Sequence, residues 1–115
     1  MKTIYIVEDE VVISIFIKMY LERKGFSVLG TSTNGNQALD VILEKKPDIV
    51  IIDVTLKGGI NGIEVANKIY EEYQPKIIFV TGLDEHSLQS VKIEYSYLRK
   101  PFDNKQLLEI LQLSK

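Results

Sequence analysis

Two stretches, "DIVIID" at 48–53 and "KIIFVTG" at 76–82, are rich in β-forming residues and almost free of polar–apolar alternation. A strand with one wet face alternates, whereas a strand covered on both faces reads as a continuous apolar run. Both are far too short to span a membrane. The chain must therefore bury these strands between layers that it supplies itself.

The remaining sequence supplies those layers. Thr3–Val7 is a short β-rich run. Val12, Ile15, Phe16 and Met19 then fall at helical spacing, and Gly25 is a C-cap candidate. Phe26, Val28 and Gly30 suggest a second strand, and Asn34-Gly35 a turn. Ala38, Leu39, Ile42 and Leu43 form another helical stripe before Pro47. After "DIVIID" comes the loop "KGGINGIE", with Asn61-Gly62 as a turn and cap. Ile63, Ala66, Ile69 and Tyr70 mark a third helix before Pro75, with Tyr70 and Tyr73 packing at its rim. Asp84–Val91 predicts a weaker helix, and "YSYLRKP" a short fifth strand. Asp103 is an N-cap with Gln106 three residues on, ahead of Leu107, Leu108 and Leu111. Five strands alternating with five helices predict a single α/β domain over 1–115, a parallel sheet with helices on both faces. Right-handed crossovers leave few topologies.

In such sheets, sites form at the carboxyl ends of the strands. The first strand ends on Glu8-Asp9-Glu10, the third on Asp53 and the fourth on Thr81-Gly82; Lys100-Pro101 follows the fifth. Adjacent strands lie about 4.8 Å apart, so acids ending neighbouring strands can share one ion. Glu8, Asp9 and Asp53 form a hard oxygen set suited to Mg²⁺. Glu10 suits a helix start better than a ligand. Lys100 is a point-charge partner for a phosphoryl group, and Thr81 can hydrogen-bond one of its oxygens. The set fits phosphoryl transfer onto an aspartate.

Composition excludes other classes. The 115 residues are 45% hydrophobic and 26% charged, enough to bury a core. Fourteen basic residues against sixteen acidic, with no basic block, lack the footprint of a nucleic-acid binder. The absence of cysteine excludes disulfides, thiol catalysis and thiolate metal sites, and fits a reducing cytoplasm. His86, the only histidine, falls outside the acidic set and faces solvent. "MKTIYIVEDE" lacks signal-peptide anatomy, so a soluble cytoplasmic domain is expected.

On "VEDE", "IIDVTL", "VTG" and "YLRKPF", the chain resembles a response-regulator receiver domain of two-component signalling, end to end. The resemblance implies a flavodoxin-like (βα)5 three-layer sandwich with strand order 2-1-3-4-5. It makes Asp53 the phospho-acceptor, with Glu8 and Asp9 holding Mg²⁺ and a backbone carbonyl near Thr55 completing the site. Thr81 becomes the switch hydroxyl, Lys100 the phosphoryl contact and Tyr97 an aromatic that moves with Thr81. The Lys100–Pro101 peptide is expected cis. Implied partners are a sensor histidine kinase or phosphotransfer domain, and a downstream target or fused output domain. The surface of the fourth helix, fifth strand and fifth helix would bind that target or pair two receivers.

The chain departs from the family after Asp53. Leu56 is followed by Lys57, and "KGG" adds a residue before "INGIE", a variant loop. Thr55 and Leu83 occupy the positions that tune dephosphorylation in the family, and Leu83 cannot orient a water. A haloacid-dehalogenase chemistry would need an aspartate where Thr55 stands. A flavodoxin-like cofactor site would place phosphate against Glu8 and Asp9. A degenerate receiver acting only as an interaction module would not need the full acid set. The chain ends at Ser114-Lys115 without an output domain. This suggests either a stand-alone receiver or one cut from a longer regulator or hybrid kinase.

Overall fold

The computed structural model describes residues 2–113. Its strands are β1 (Thr3–Val7), β2 (Ser27–Ser32), β3 (Ile49–Asp53), β4 (Lys76–Thr81) and β5 (Ser96–Arg99). Its α-helices are α1 (Val11–Arg23), α2 (Gly35–Lys45), α3 (Gly62–Tyr70) and α4 (Asn104–Gln112). The strands form one parallel sheet in the order β2-β1-β3-β4-β5. This is the flavodoxin-like α/β topology.

Strand side chains alternate between faces, and each face has its own core. Tyr5, Val7, Val50, Ile52, Ile77 and Phe79 pack under α2 and α3 through Ala38, Ile42, Val65, Ala66 and Ile69. Ile4, Ile6, Ile49, Ile51, Ile78 and Val80 pack under α1 and α4 through Ile17, Leu21, Leu107 and Leu111. Every residue of β3 is buried, as its unbroken apolar run requires.

The helix starts are specified locally. Asn61 and Glu64 form a reciprocal capping box at α3, and Asp103 and Gln106 form another at α4. Asn34-Gly35 is a helix start rather than a free turn: the Asn34 side chain accepts from the Gln37 N–H, and Gly35 is the first residue of α2. Gly25, just past α1, has a φ of 95°, the left-handed conformation that ends helices. Tyr70 and Tyr73 pack at the rim, where the Tyr73 hydroxyl donates to the Pro47 carbonyl (2.9 Å).

Two expectations are corrected. The predicted helix over Asp84–Val91 is only a 3₁₀ turn at Glu85–Leu88 followed by irregular chain. Apart from Leu88, the segment 82–90 buries no side chain, so nothing rewards extending the turn. In α1, the helix forms, but its stripe of Val12, Ile15, Phe16 and Met19 faces solvent. The buried face is Ser14, Ile17 and Leu21. Ser14 fits that core because its hydroxyl donates to the Val11 carbonyl (2.8 Å). With "VVISIFIKMYL" apolar at most positions, periodicity alone could not choose the face.

Candidate functional site

β1 and β3 are adjacent, so Glu8-Asp9 and Asp53 emerge together at their carboxyl ends. One carboxylate oxygen from each of Glu8, Asp9 and Asp53 lies within 4.8 Å of the others. Glu8 and Asp53 are almost wholly buried, at 1% and 2% exposure. Lys100 reaches in from the end of β5. Its Nζ lies 2.9 Å from Glu8 Oε1 and 3.1 Å from Asp53 Oδ2. The Lys100–Pro101 peptide is cis. The Lys100 N–H donates to the Thr81 carbonyl (2.8 Å), tying the ends of β4 and β5 together.

Asp53 Oδ1 is held from the other side. It accepts from the Thr55 N–H (2.9 Å) and the Thr55 hydroxyl (3.0 Å). Burial pushes the Asp53 carboxyl up, but the Thr55 N–H and Lys100 outweigh that and hold it below the ordinary range. Glu8 goes the other way, pushed up to about 7. Burial is the main cause, only partly offset by Lys100 and by the Glu10 N–H on Oε2. Burial lowers Lys100, but Glu8 and Asp53 overcome it and raise its pKa. The site thus contains an ionised aspartate, a reluctant glutamate and a committed lysine.

Among the described residues, Glu8 Oε1 is the buried side-chain oxygen left without a hydrogen bond. Its ionic partner is the Lys100 ammonium, 2.9 Å away. Three carboxylate oxygens within 4.8 Å of one another form a hard donor set that fits a small divalent cation. Glu10 takes no part in the cluster. It is the N-cap residue of α1, exposed, with its N–H on Glu8.

The loop after Asp53 is closed by backbone and clamped by α2. Gly62 N–H donates to the Val54 carbonyl (3.0 Å). A Cβ on Gly62 would sit 2.2 Å from the Asp53 carbonyl oxygen, so only glycine allows α3 to start there. The "KGG" turn carries Gly58 and Gly59 at positive φ, 67° and 102°. Asn34 Nδ2 donates to the Gly58 carbonyl (2.9 Å), and Asn36 Oδ1 accepts from the Ile60 N–H (3.1 Å). Sequence reasoning missed these two asparagines. The signal was an "NGN" start to α2.

The fourth strand behaves differently. Thr81 is fully buried beside the cluster, and its hydroxyl accepts from the Leu83 N–H (3.1 Å). Tyr97 is not brought to Asp53; its hydroxyl donates to the Leu83 carbonyl (2.6 Å). Leu83 is exposed, as is His86, apart from the cluster.

A doubly wound parallel sheet with a buried aspartate, flanking acids and a lysine at one mouth defines a class of phosphoryl-accepting switch domains. The response regulator receiver domain family matches residues 4–112, and the chain belongs to that family. It is 32% identical to the sensory transduction protein LytT of Bacillus anthracis over all of this chain and 48% of that protein. The LytT of Bacillus cereus is 31% identical with the same coverage. The chain thus spans about half the length of these curated relatives. Among solved structures, it resembles the signal receiver domain of a modulated diguanylate cyclase from Desulfovibrio desulfuricans G20. That match has TM-score 0.85 and 29% identity, covering 97% of this chain and 91% of that one. A CheY-like receiver domain protein from Methanospirillum hungatei JF-1 matches at TM-score 0.86 and 26% identity, with the same coverage. Among the described residues, no helix is long and apolar enough to cross a membrane.

Proposed function

We propose that Asp53 accepts a phosphoryl group from a phosphohistidine on a sensor kinase or phosphotransfer domain. The observation that carries this reading is the paired hold on Asp53: Thr55 on Oδ1 and Lys100 on Oδ2, within a buried acid cluster. An aspartate kept ionised and oriented in a partly dry site is a competent nucleophile.

Glu8, Asp9 and Asp53 would hold Mg²⁺, with the backbone near Thr55 as a further ligand. The ion would supply charge neutralisation to the transferring oxygens. Asp53 attacks phosphorus in line, the phosphorus–nitrogen bond breaks, and imidazole leaves with its electron pair. Lys100 stabilises the negative charge on the transferred group. Thr81 turns its hydroxyl from the Leu83 N–H toward a phosphoryl oxygen. Tyr97, released from the Leu83 carbonyl or moved with it, changes the surface around β5, which a target or fused output domain reads. Leu83 offers no polar group to orient an attacking water, which lengthens the life of the phosphoryl group. The domain is read as 1–115 and cytoplasmic, without direct nucleic-acid contact.

The test is incubation with a small phosphodonor and Mg²⁺. Wild type acquires a base-labile phosphoryl group and Asp53→Asn does not. Equal labelling of both, or none on wild type, refutes the reading.

A further inference from the structure

The loop that follows Asp53 carries its own weak point. Gly58 and Gly59 stand side by side at positive φ, with no side chain to anchor either. Adjacent glycines give a backbone more freedom than any other pair of residues. Lys57, Gly58 and Gly59 are all exposed, so the core does not hold them. Left to itself this stretch would wander, and with it the backbone near Thr55, three residues before Gly58.

What holds it comes from another element. The start of α2 packs directly on the loop. A Cβ on Gly35 would sit 2.5 Å from the Ile60 carbonyl oxygen, and one on Gly59 would sit 2.8 Å from Asn36 Oδ1. Two hydrogen bonds of opposite polarity cross this contact. Asn34 donates, from Nδ2 to the Gly58 carbonyl (2.9 Å). Asn36 accepts, at Oδ1 from the Ile60 N–H (3.1 Å). Asn34 is fixed in this sense, because its Oδ1 is engaged by the Gln37 N–H (3.0 Å). The Gln37 bond is what caps α2; the two bonds to the loop add nothing to the helix. They grip the residues on either side of Gly59 instead.

We propose that Asn34 and Asn36 are positioning residues for the metal site: they hold the acceptor loop, before any ion arrives, in the shape that offers the backbone near Thr55 to Mg²⁺. The proposal deepens the function given above and rests on it. Neither asparagine belongs to the acid cluster. Both act through the loop. A loop already ordered binds more tightly than one that must be ordered on binding, because its freedom has been lost beforehand. Groups that hold ligands in place tune metal affinity in this way.

The opposite polarities supply the test. Asn34→Asp keeps the oxygen that caps α2, loses the donor, and turns a carboxylate on the Gly58 carbonyl. Asn36→Asp keeps the oxygen that accepts from Ile60. Each variant adds one negative charge at the start of α2, where the helix dipole favours it, so charge and helix stability change alike. Calorimetric titration with Mg²⁺ is expected to give an affinity about tenfold weaker for Asn34→Asp than for Asn36→Asp. Asn36→Asp stays within about twofold of wild type, and Asn36→Ala falls about threefold below it. Amide exchange in chelator reads the clamp without the ion: the Ile60 N–H exchanges faster in Asn34→Asp and Asn36→Ala, and at the wild-type rate in Asn36→Asp. Equal Mg²⁺ affinities for the two aspartate variants overturn the proposal. So does a faster Ile60 amide with Mg²⁺ affinity unchanged, or a wild type that binds no Mg²⁺. Labelling of wild-type Asp53 by a small phosphodonor is read separately, so the acceptor reading can fail while the difference between the two variants stands.

Discussion

Two segments leave the same edge of the sheet, one after Asp53 and one after Thr81, and they are built in opposite ways. The first is short and tied at every turn: Thr55 to Asp53, Gly62 to Val54, and the Gly58 and Ile60 backbone to Asn34 and Asn36. The second has Leu88 as its one fully buried side chain, with Val91, Ile93 and Tyr95 partly buried, a 3₁₀ turn, and the Leu83–Thr81, Tyr97–Leu83 and Arg99–Gly82 bonds as its other supports. Segments with few buried contacts open at lower free energy than the rest of a fold. Asp53 thus stands at the head of the rigid segment, and opening motions at this end of the sheet should concentrate on the loose one.

The largest effects should come from breaking the rigid side. Gly62→Ala forces a methyl onto the Asp53 carbonyl and should cost about 3 kcal/mol or more, with loss of phosphoryl acceptance; urea unfolding and labelling read both. Leu88→Ala removes the anchor of the loose segment. It should cost about 2.5 kcal/mol in the same unfolding assay while leaving labelling of Asp53 by a small donor intact. If Leu88→Ala abolished labelling, the two segments would not be separable in this way.

Glu8 gives a pH-dependent effect. Its folded pKa of about 7 lies above the ordinary 4.5, so the fold binds its proton more tightly than the unfolded chain does. Its unfavourable contribution is absent below about 4.5 and grows as pH rises through about 7. In chelator, Glu8→Gln should be more stable than wild type at pH 8, by on the order of 2 kcal/mol, and the difference should vanish near pH 4.5. Thermal unfolding across that range measures it. The smallest effect is expected at the clamp: Asn36→Ala should cost about 1 kcal/mol and weaken Mg²⁺ binding modestly, read by titration with the ion.

How much of this was legible in the sequence follows from the same contrast. The strands were legible because β3 and β4 need no alternation, and the acids because strand ends converge whatever the loops do. The capping box at Asp103 was legible because its partner Gln106 is three residues away, and Asn61 was legible as a cap without its partner Glu64. The face of α1 was not, because a helix apolar on both sides has no preferred orientation until Ser14 and Leu21 meet the sheet. The missing helix after Thr81 was not legible either, since "DEHSLQSV" has helix-compatible residues but only Leu88 is fully buried, with Val91 at the core's margin. The clamp by Asn34 and Asn36 depends on contacts twenty-four residues distant, beyond any local pattern.

The central claim concerns one carboxylate. After reaction with a small phosphodonor and Mg²⁺, borohydride reduces an aspartyl phosphate to homoserine, which peptide mass spectrometry locates by residue. Homoserine at position 53 alone, absent when the phosphodonor is omitted, is the expected result. Homoserine at Asp9 or elsewhere with Asp53 unmodified, or none at all, would contradict the assignment of Asp53 as acceptor.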